Sequence, residues 1–268
     1  MAITMNQPHT FEKLIAIMRR LRAPGGCPWD AEQTHESLTR YLLEETYEVI
    51  EAIDEKDSQH LKEELGDLLL QPIFHAAIAE EAGDFSIDDV INTLCEKLIR
   101  RHPHVFGDFE IENSSAQVEN WEKIKKLEKG TERQSALSGV PDHLPALLKA
   151  HKIGEKASRV GFDWEYADQV FAKVMEELHE FEEAWAGGNP ARMEEELGDL
   201  LFAITNLGRF LHLNPEEALR KTISRFQKRF GYVETELLRQ GVLMQNATLA
   251  EMDLLWEKAK SAECDSKS

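Results

Sequence analysis

The sequence is poor in cysteine and lacks any apolar segment long enough to cross a membrane. Its three cysteines, Cys27, Cys95 and Cys264, are too scattered for a disulfide framework or a cysteine metal site. No apolar run approaches the roughly 20 residues of a transmembrane helix. The N-terminus also lacks the apolar region of a secretory signal. These absences predict a reduced, cytoplasmic protein with no membrane partner.

Positive charge is also scarce. The 268 residues carry 31 lysines and arginines against 50 aspartates and glutamates, a formal net charge of -19. Because phosphate backbones are bound by basic surfaces, this balance argues against nucleic acid as a partner. With only 15 glycines and 9 prolines, but 42% hydrophobic and 30% charged residues, the composition favours an all-α fold with a substantial core.

Apolar residues recur at helical spacing along most of the chain. Thr10 and Ser86 precede two of these stretches and are predicted N-caps. The charged, glycine- and proline-containing segment 127–144 is a predicted linker between modules at 1–126 and 145–268. Two acidic helices are predicted within the stretch Lys173–Asp199, and a further helix holds Trp121. The other predicted helices include 10–22, 37–55, 58–82, 86–101, 215–238 and 247–261.

The two modules are copies of each other. Glu44 and Glu176 lie 132 positions apart (176 − 44), as do Glu64 and Glu196. Around them LEETYEVIEA matches MEELHEFEEA, and KEELGDLLLQ matches EEELGDLLFA. A fixed internal offset is typical of a duplicated structural unit. The chain is therefore predicted to be two tandem helical modules, each built around one helix hairpin.

Each predicted hairpin carries acidic residues on its two facing helices. In the second module Glu177 and Glu180 share one helix face, and Glu196 and Asp199 share a face of the next helix. Two carboxylates about 5 Å apart repel by roughly 3 kcal/mol at an effective dielectric near 20, so such a group needs a cation. Oxygen ligands without cysteine or histidine indicate Mg²⁺, with Mn²⁺ as an alternative. The matching residues of the first module, a possible second metal site, are Glu45, Glu48, Glu64 and Asp67.

Apolar residues flank these acids, which predicts that the acidic helices are core elements. Gly66 and Gly198 lie inside the acidic motifs, where a glycine costs about 1 kcal/mol of helix stability. Their small size would suit the close approach of another helix or a ligand. In the second module the flanking apolar residues are Phe171, Val174, Met175, Leu178, Phe181, Leu197, Leu200, Leu201 and Phe202.

The motif EExxE followed by ExxD, with GCPWD near the start and RRHPHVFG between the repeats, resembles the MazG-type nucleoside triphosphate pyrophosphohydrolases of the all-α NTP pyrophosphatase superfamily. The resemblance covers nearly the whole chain and fits the tandem bacterial form. It implies a homodimer of four-helix-bundle-like units that hydrolyses ribo- and deoxynucleoside triphosphates of many bases to monophosphate and pyrophosphate with Mg²⁺. It also implies nucleotide-pool housekeeping, and in some bacteria a part in stress signalling. Its magnesium ligands would be Glu177, Glu180, Glu196 and Asp199.

A triphosphate needs cations as well as a metal. Lys173 lies four residues before Glu177, and Arg192 lies four before Glu196. The first module has Tyr41, His60, His104 and Val105 where the second has Lys173, Arg192, Lys228 and Arg229, and only Arg225 keeps a partner, Arg101. The C-terminal module is therefore predicted to be catalytic, and the N-terminal one degenerate. The predicted substrate-binding residues are Lys173, Arg192, Glu195, Arg225, Lys228, Arg229, Trp256 and Lys260.

The predicted reaction is metal-assisted attack of water on the α-phosphorus. Glu176 and Glu195 are the candidate catalytic carboxylates that orient the water, and the residues alone do not choose between them. Trp256 has two interpretations, stacking on the base or sugar and packing in the core.

Two other functions fit parts of the pattern. Glu176 and His179 have the Glu-x-x-His spacing of di-iron carboxylate bundles, but the facing helix offers Glu196 and Asp199 instead of a second such pair. A non-enzymatic nucleotide or metal sensor is the other alternative. The retention of acids and cations together in one module argues against it.

Overall fold

The computed structural model describes residues 9–107, Trp121, Ile124 and residues 135–265. Within those residues the chain forms α-helices, a short 3₁₀ helix and turns, without a strand, which confirms the all-α prediction. The chain divides into two units, residues 1–129 and 130–268. Their boundary falls inside the predicted linker, whose own bounds stay a prediction.

The N-terminal unit is organised around the antiparallel hairpin of α3 and α4. Met18 of α1, Leu38 of α3 and Ile87 of α5 meet Ile73 and Phe74 of α4 in its core. The helices α1 and α5 therefore pack against α4 through side chains that are almost completely buried. The elements are α1 Phe11–Arg22, α2 Pro28–Glu32, α3 His35–Glu55, α4 Ser58–Ala82, α5 Ile87–Arg101 and α6 Pro103–Phe106.

The C-terminal unit repeats the hairpin as α8 and α9. Helix α7 packs closely on α9, because Gly154 leaves room for the side chains of Asn206 and Arg209. Helices α10 and α11 pair through a second cluster that contains Val233 and Leu237. The elements are α7 Ala146–Ser158, α8 Ala167–Gly187, α9 Pro190–Phe210, α10 Pro215–Arg239, a 3₁₀ turn Met244–Asn246, and α11 Leu249–Asp265.

The sequence sets the hairpin turns by the same local device in both units. Helix α3 ends at Lys56, which adopts a left-handed φ of 58°, and Asp57 then caps α4 by accepting from two backbone N–H groups. Helix α8 ends at Gly188 with a φ of 65°, and Asn189 caps α9 in the same way. A two-residue connection of this kind forces the two acidic helices to run antiparallel, face to face.

The predicted helix caps are confirmed. Thr10 Oγ1 accepts from the backbone N–H of Lys13. Ser86 Oγ accepts from the backbone N–H of Asp89, and the Asp89 carboxylate accepts in turn from the backbone N–H of Ser86. The predicted helix near Trp121 lies largely outside the described residues, although Trp121 and Ile124 are themselves helical. Among the described helices, none combines the length and the apolarity that a membrane crossing requires.

The prediction that the apolar flanks of the acidic helices are core is wrong for most of them, since only Val174, Phe181 and Leu200 are half-buried. Phe171 is 56% exposed, Met175 50% and Leu201 47%. Leu178, Leu197 and Phe202 are exposed as well. The hairpin buries the face that packs on α7, and it leaves a second apolar face uncovered by the described part of the chain.

The close helix approach proposed for Gly66 and Gly198 is also not observed. A Cβ atom built at either glycine meets no described atom of the chain within 4 Å. Neither glycine is therefore required by the packing of the described helices.

Candidate metal centre

Three carboxylates converge between α8 and α9. Glu177 and Glu180 project from α8 and Glu196 projects from α9, and each offers an oxygen within 4.8 Å of the others. Glu177 is only 7% exposed, and the other two are partly buried. We call these three residues the C-terminal acidic group. Their spacing follows from helical geometry, since residues three apart share a face and the tight turn brings the facing helix into register.

Burial and neighbouring negative charge disfavour the ionised form of Glu180 within the C-terminal acidic group. The pKa of Glu180 is raised, first by desolvation and then by the negative charge of Glu177, with a further contribution from Glu196. Several carboxylate oxygens at this spacing, without sulfur or imidazole ligands, match what Mg²⁺ and Mn²⁺ accept. The donor set therefore fits the divalent metal that the sequence predicts.

Two cations lie at the edge of the C-terminal acidic group. Lys173 Nζ lies 2.8 Å from Glu177 Oε1 and 2.8 Å from Glu176 Oε1. The hydrogen bonds to Glu176 and then Glu177 raise the pKa of the Lys173 ammonium. Arg192 Nε lies 3.3 Å from Glu196 Oε1. Both cations stand one helical turn before the carboxylate that they contact, as their spacing in the sequence requires.

Arg192 also reaches a residue that sequence reasoning did not identify. Its Nη2 lies 3.8 Å from a carboxylate oxygen of Glu183 on α8, across the hairpin turn. No sequence spacing indicates this contact, because it depends on how the two helices are rotated about their axes.

The remaining predicted acids lie outside the group. Asp199, three residues after Glu196, is exposed and is not among the three clustered residues, so the structure brings together three of the four predicted ligands. Glu195 is exposed on α9. Glu176 is exposed and is held by Lys173. None of these positions decides which carboxylate would orient a water molecule.

The predicted substrate-binding residues of α10 and α11 form contacts within those two helices. Arg225 donates to Thr222 at 2.8 Å, and Lys260 pairs with Glu257 at 2.7 Å. Lys228 is exposed. They therefore differ from Lys173 and Arg192, which contact the acidic group directly.

Trp256 packs in the core of its unit, which agrees with one of its two predicted interpretations. It is partly buried against the α10–α11 core, and its ring lies 5.0 Å from that of Phe226. The guanidinium of Arg229 lies 5.8 Å from the Trp256 ring centroid. An open, mostly apolar pocket of about 220 Å³ adjoins the ring. Its lining residues are Phe226, Phe230, Val233, Leu249, Met252, Asp253 and Trp256.

The N-terminal unit forms the matching acidic group from Glu45, Glu48 and Glu64, with oxygens again within 4.8 Å of one another. Glu45 Oε2 is buried and accepts no hydrogen bond from a described residue. The pKa of Glu45 is raised by desolvation first and then by the charges of Glu48 and Asp67. The first module therefore keeps the same clustering of three carboxylates, and Glu45 experiences the negative charge of its neighbours.

The cationic border of the N-terminal group differs from that of its copy. At the position of Lys173 stands Tyr41, whose ring packs edge-on against Trp29 at 5.8 Å and under the guanidinium of Arg40. At the position of Arg192 stands His60, whose Nε2 lies 3.1 Å from Glu64. An arginine also lies over a tryptophan in this unit, but it is Arg101, the counterpart of Arg225, whose guanidinium lies 5.4 Å from the Trp121 ring centroid.

The structure does not assemble the di-iron alternative. His179 is 71% exposed and contacts Glu182 and Glu183 of its own helix, at 3.7 and 3.5 Å. It is not part of the C-terminal acidic group. The histidine that such a site needs is therefore turned away from the carboxylates that would share its metal.

Comparisons with known proteins match both hairpins. The family model described as "MazG nucleotide pyrophosphohydrolase domain" matches residues 33–106 and again residues 167–233. A relative from Thermotoga maritima named nucleoside triphosphate pyrophosphohydrolase/pyrophosphatase MazG is 51% identical over 94% of this chain and 96% of its own. The Escherichia coli K12 nucleoside triphosphate pyrophosphohydrolase is 45% identical over 97% and 100%. A solved structure of a MazG-related protein from T. maritima covers 42% of this chain and 97% of its own, at a TM-score of 0.37 and 31% identity.

Proposed function

Because the chain belongs to the MazG nucleotide pyrophosphohydrolase family, we propose that its C-terminal unit hydrolyses nucleoside triphosphates to nucleoside monophosphates and pyrophosphate. The reaction would depend on Mg²⁺, with Mn²⁺ as a substitute. Ribo- and deoxynucleotides with a broad range of bases are the proposed substrates. The cytoplasm is the proposed location. Nucleotide-pool housekeeping and the modulation of stress responses are the proposed roles. Neither nucleic acid nor membrane is a proposed partner.

One observation carries this proposal. In the C-terminal unit a group of converging carboxylates is bordered by Lys173 and Arg192, which contact those carboxylates directly. A metal site alone would need only the acids, whereas a triphosphate brings several negative charges that one divalent ion does not neutralise. Acids and cations at the same place are what a metal–triphosphate complex requires.

Glu177, Glu180 and Glu196 would hold the metal. Asp199 joins them as a proposed fourth ligand, since it lies on α9 one helical turn beyond Glu196. When bound, Mg²⁺ supplies Lewis-acid polarisation of phosphoryl oxygens and lowers the pKa of a coordinated water. The burial of Glu177 limits the access of solvent to this side of the group and strengthens its electrostatic interactions.

The remaining residues of the site would bind and orient the substrate. Lys173 and Arg192 would neutralise the phosphates and stabilise the departing pyrophosphate. The further cations proposed to contact the substrate are Arg225, Lys228, Arg229 and Lys260.

Trp256, whose ring borders the apolar pocket, is the proposed contact to the base or sugar. An apolar pocket without several directed hydrogen-bonding groups agrees with a broad base range, because stacking discriminates weakly between bases. Glu176 and Glu195 are the proposed carboxylates for orienting water toward the α-phosphorus.

The protein is also proposed to act as a homodimer. The hairpin that bears the acidic group exposes apolar side chains on both of its helices, namely Phe171, Met175, Leu201 and Phe202. Large exposed apolar surfaces on a water-exposed helix pair mark association sites. A second copy of the same hairpin is the occupant proposed here, because it would offer an equivalent apolar face.

Product analysis tests the proposed reaction. We expect ³¹P NMR of the chain with a triphosphate and Mg²⁺ to show monophosphate and pyrophosphate. In water enriched in ¹⁸O, the label should enter the monophosphate, because water attacks the α-phosphorus. Diphosphate and inorganic phosphate as products would place the attack at the γ-phosphorus and refute the proposal. Nucleotide binding without any product would favour a sensor.

A further inference from the structure

Lys173 forms an ion pair with a carboxylate that the proposed metal needs as a ligand. Its Nζ lies 2.8 Å from Glu177 Oε1, and Glu177 is the most buried member of the C-terminal acidic group. A carboxylate oxygen that accepts a short bond from an ammonium has less capacity to ligate a metal. In the metal-free chain, then, Lys173 partly neutralises Glu177.

We infer that Lys173 is an exchangeable counter-ion, which the incoming metal displaces from Glu177 and which then binds the phosphates of the substrate. This inference rests on the proposed function for the identity of the second partner. Lys173 is a positioning residue in the metal-free chain and a substrate contact in the loaded one. Its four-carbon stem allows the head group to move while the helix stays fixed.

The geometry favours exchange over a permanent ion pair. The Lys173 side chain is 37% exposed, so its ammonium can leave for solvent or a ligand at small cost. Glu176, its other partner, is 57% exposed and belongs to no cluster, so its interaction with Lys173 is a weak surface pair. Neither contact encloses the lysine.

The N-terminal group supplies the natural comparison. Tyr41 stands at the position of Lys173, and its hydroxyl accepts from Arg40 rather than donating to Glu45. Glu45 Oε2 is left buried and unbonded among the described residues. The duplicated hairpin therefore forms the same carboxylate group without a lysine counter-ion, so the lysine is not needed to build the group.

The exchange couples the two ligands. A metal that frees Lys173 increases the cationic charge available to phosphate, and a phosphate that holds Lys173 removes the metal's competitor. Linkage requires both effects to be equal in free energy, so metal and nucleotide should bind cooperatively. Without Lys173 this part of the cooperativity should disappear.

Chemical labelling of lysines with a small acylating reagent, read by mass spectrometry on the full chain, tests the exchange directly. We expect Lys173 to be labelled slowly without metal and about threefold faster with Mg²⁺, because its contact with Glu177 is then lost and only the exposed pair with Glu176 remains. A non-hydrolysable triphosphate analogue added with Mg²⁺ should protect it again. Lys149, which pairs with Asp142 at 3.0 Å, is the matched control and should respond to neither addition.

Metal affinity gives a second, independent reading. In a chain carrying Glu45→Gln and Glu64→Gln, which disable the N-terminal group, calorimetry reports Mn²⁺ binding at the C-terminal group. We expect Lys173→Met to bind Mn²⁺ about threefold more tightly without nucleotide, and Lys173→Arg to restore the original affinity. With the analogue present, Lys173→Met should lose the tightening of Mn²⁺ that the parent chain shows.

Two outcomes overturn the inference. One is labelling of Lys173 that Mg²⁺ does not change, and the other is an unchanged or absent Mn²⁺ affinity in Lys173→Met. Neither depends on turnover. If the chain hydrolyses triphosphates but fails these tests, only the proposed exchange is refuted. If it passes the metal tests without hydrolysing any triphosphate, only the proposed function is refuted.

Discussion

Arg192 Nε lies 3.3 Å from Glu196 Oε1, one helical turn apart on α9. The copy of this pair in the N-terminal unit is a histidine, His60, whose Nε2 lies 3.1 Å from Glu64 Oε1. The two hairpins thus preserve a contact to the equivalent carboxylate and replace a permanent cation with a titratable group, whose pKa the hydrogen bond to Glu55 raises. An arginine is cationic at every physiological pH, whereas a histidine is mostly neutral above its pKa.

Replacing Arg192 by histidine should therefore convert this edge of the C-terminal site to the N-terminal kind. We expect kcat/KM for a triphosphate to fall about tenfold at pH 8, because a charge-assisted contact to phosphate is lost. Steady-state kinetics measure it. Arg239→His is the control, since Arg239 forms a similar exposed pair with Glu236 at 2.9 Å. Equal kinetics in the two variants would remove Arg192 from the substrate site.

Arg209 and Asp163 fix the loop before α8 to α9. Two hydrogen bonds join them, one of 2.9 Å, and the Arg209 side chain is only 10% exposed. Asp163→Asn should destabilise the C-terminal unit by about 1–3 kcal/mol at pH 7, because it leaves Arg209 buried without its anionic partner. Native-state hydrogen exchange of the α9 amides measures the loss. Asp142→Asn, in an exposed pair with Lys149, should change it by less than about 0.5 kcal/mol.

The same pair predicts a pH dependence. The hydrogen bond from Arg209 lowers the pKa of Asp163 below its ordinary value of 3.8. A depressed carboxyl pKa contributes stability that is complete above the unfolded value and is lost as the pH falls through the folded one. The difference between the parent chain and Asp163→Asn should thus be constant from pH 5 to pH 7 and shrink below about pH 4. A difference that grows on acidification would contradict this account.

Gly198 gives a prediction in which stability and activity separate. A Cβ there meets no described atom within 4 Å, so Gly198→Ala should stabilise α9 by about 0.5–1 kcal/mol. If substrate or a second copy of the chain approaches this position, kcat/KM should nevertheless fall. Thermal unfolding and kinetics on one preparation measure both. Gly66→Ala, the equivalent change in the N-terminal unit, should stabilise its helix without lowering kcat/KM. Full activity in Gly198→Ala would exclude a close approach of substrate or a second copy to Gly198.

The apolar face of the hairpin predicts the oligomeric state. The parent chain should elute as a dimer of the 30.6 kDa subunit in light-scattering chromatography. Leu201→Glu should shift it to the monomer, because a charge would be buried in the interface. Val160→Glu is the control, since Val160 is 63% exposed in a turn outside the hairpin. A monomeric parent chain would refute the proposed association.

Local features of the fold follow closely from the sequence. Helix α4 spans Ser58–Ala82, the predicted range, because Asp57 caps its first turn and Gly83 adopts the left-handed conformation that ends it. The meeting of Glu177, Glu180 and Glu196 follows from helical periodicity and a short turn. These features depend on neighbouring residues, which a single sequence displays directly.

Other features depend on relations that spacing does not encode. Asp199 shares a predicted face with Glu196 yet lies outside the acidic group, because membership depends on the rotation of α9 against α8. The contact between Arg192 and Glu183 crosses the hairpin for the same reason. The apolar flanks of the acidic helices predicted burial, yet most of them are exposed in the described chain, because hydrophobicity does not say whether the covering surface belongs to the same chain.

The central claim is that the C-terminal acidic group catalyses and the N-terminal one does not. Pyrophosphate release from a triphosphate with Mg²⁺, compared between Glu177→Gln and Glu45→Gln, tests it most directly because the two substitutions are equivalent in the duplicated hairpins. We predict a loss of about 100-fold or more in Glu177→Gln, which removes a metal ligand, and activity close to that of the parent chain in Glu45→Gln. Loss of activity in Glu45→Gln, with Glu177→Gln still active, would contradict the account.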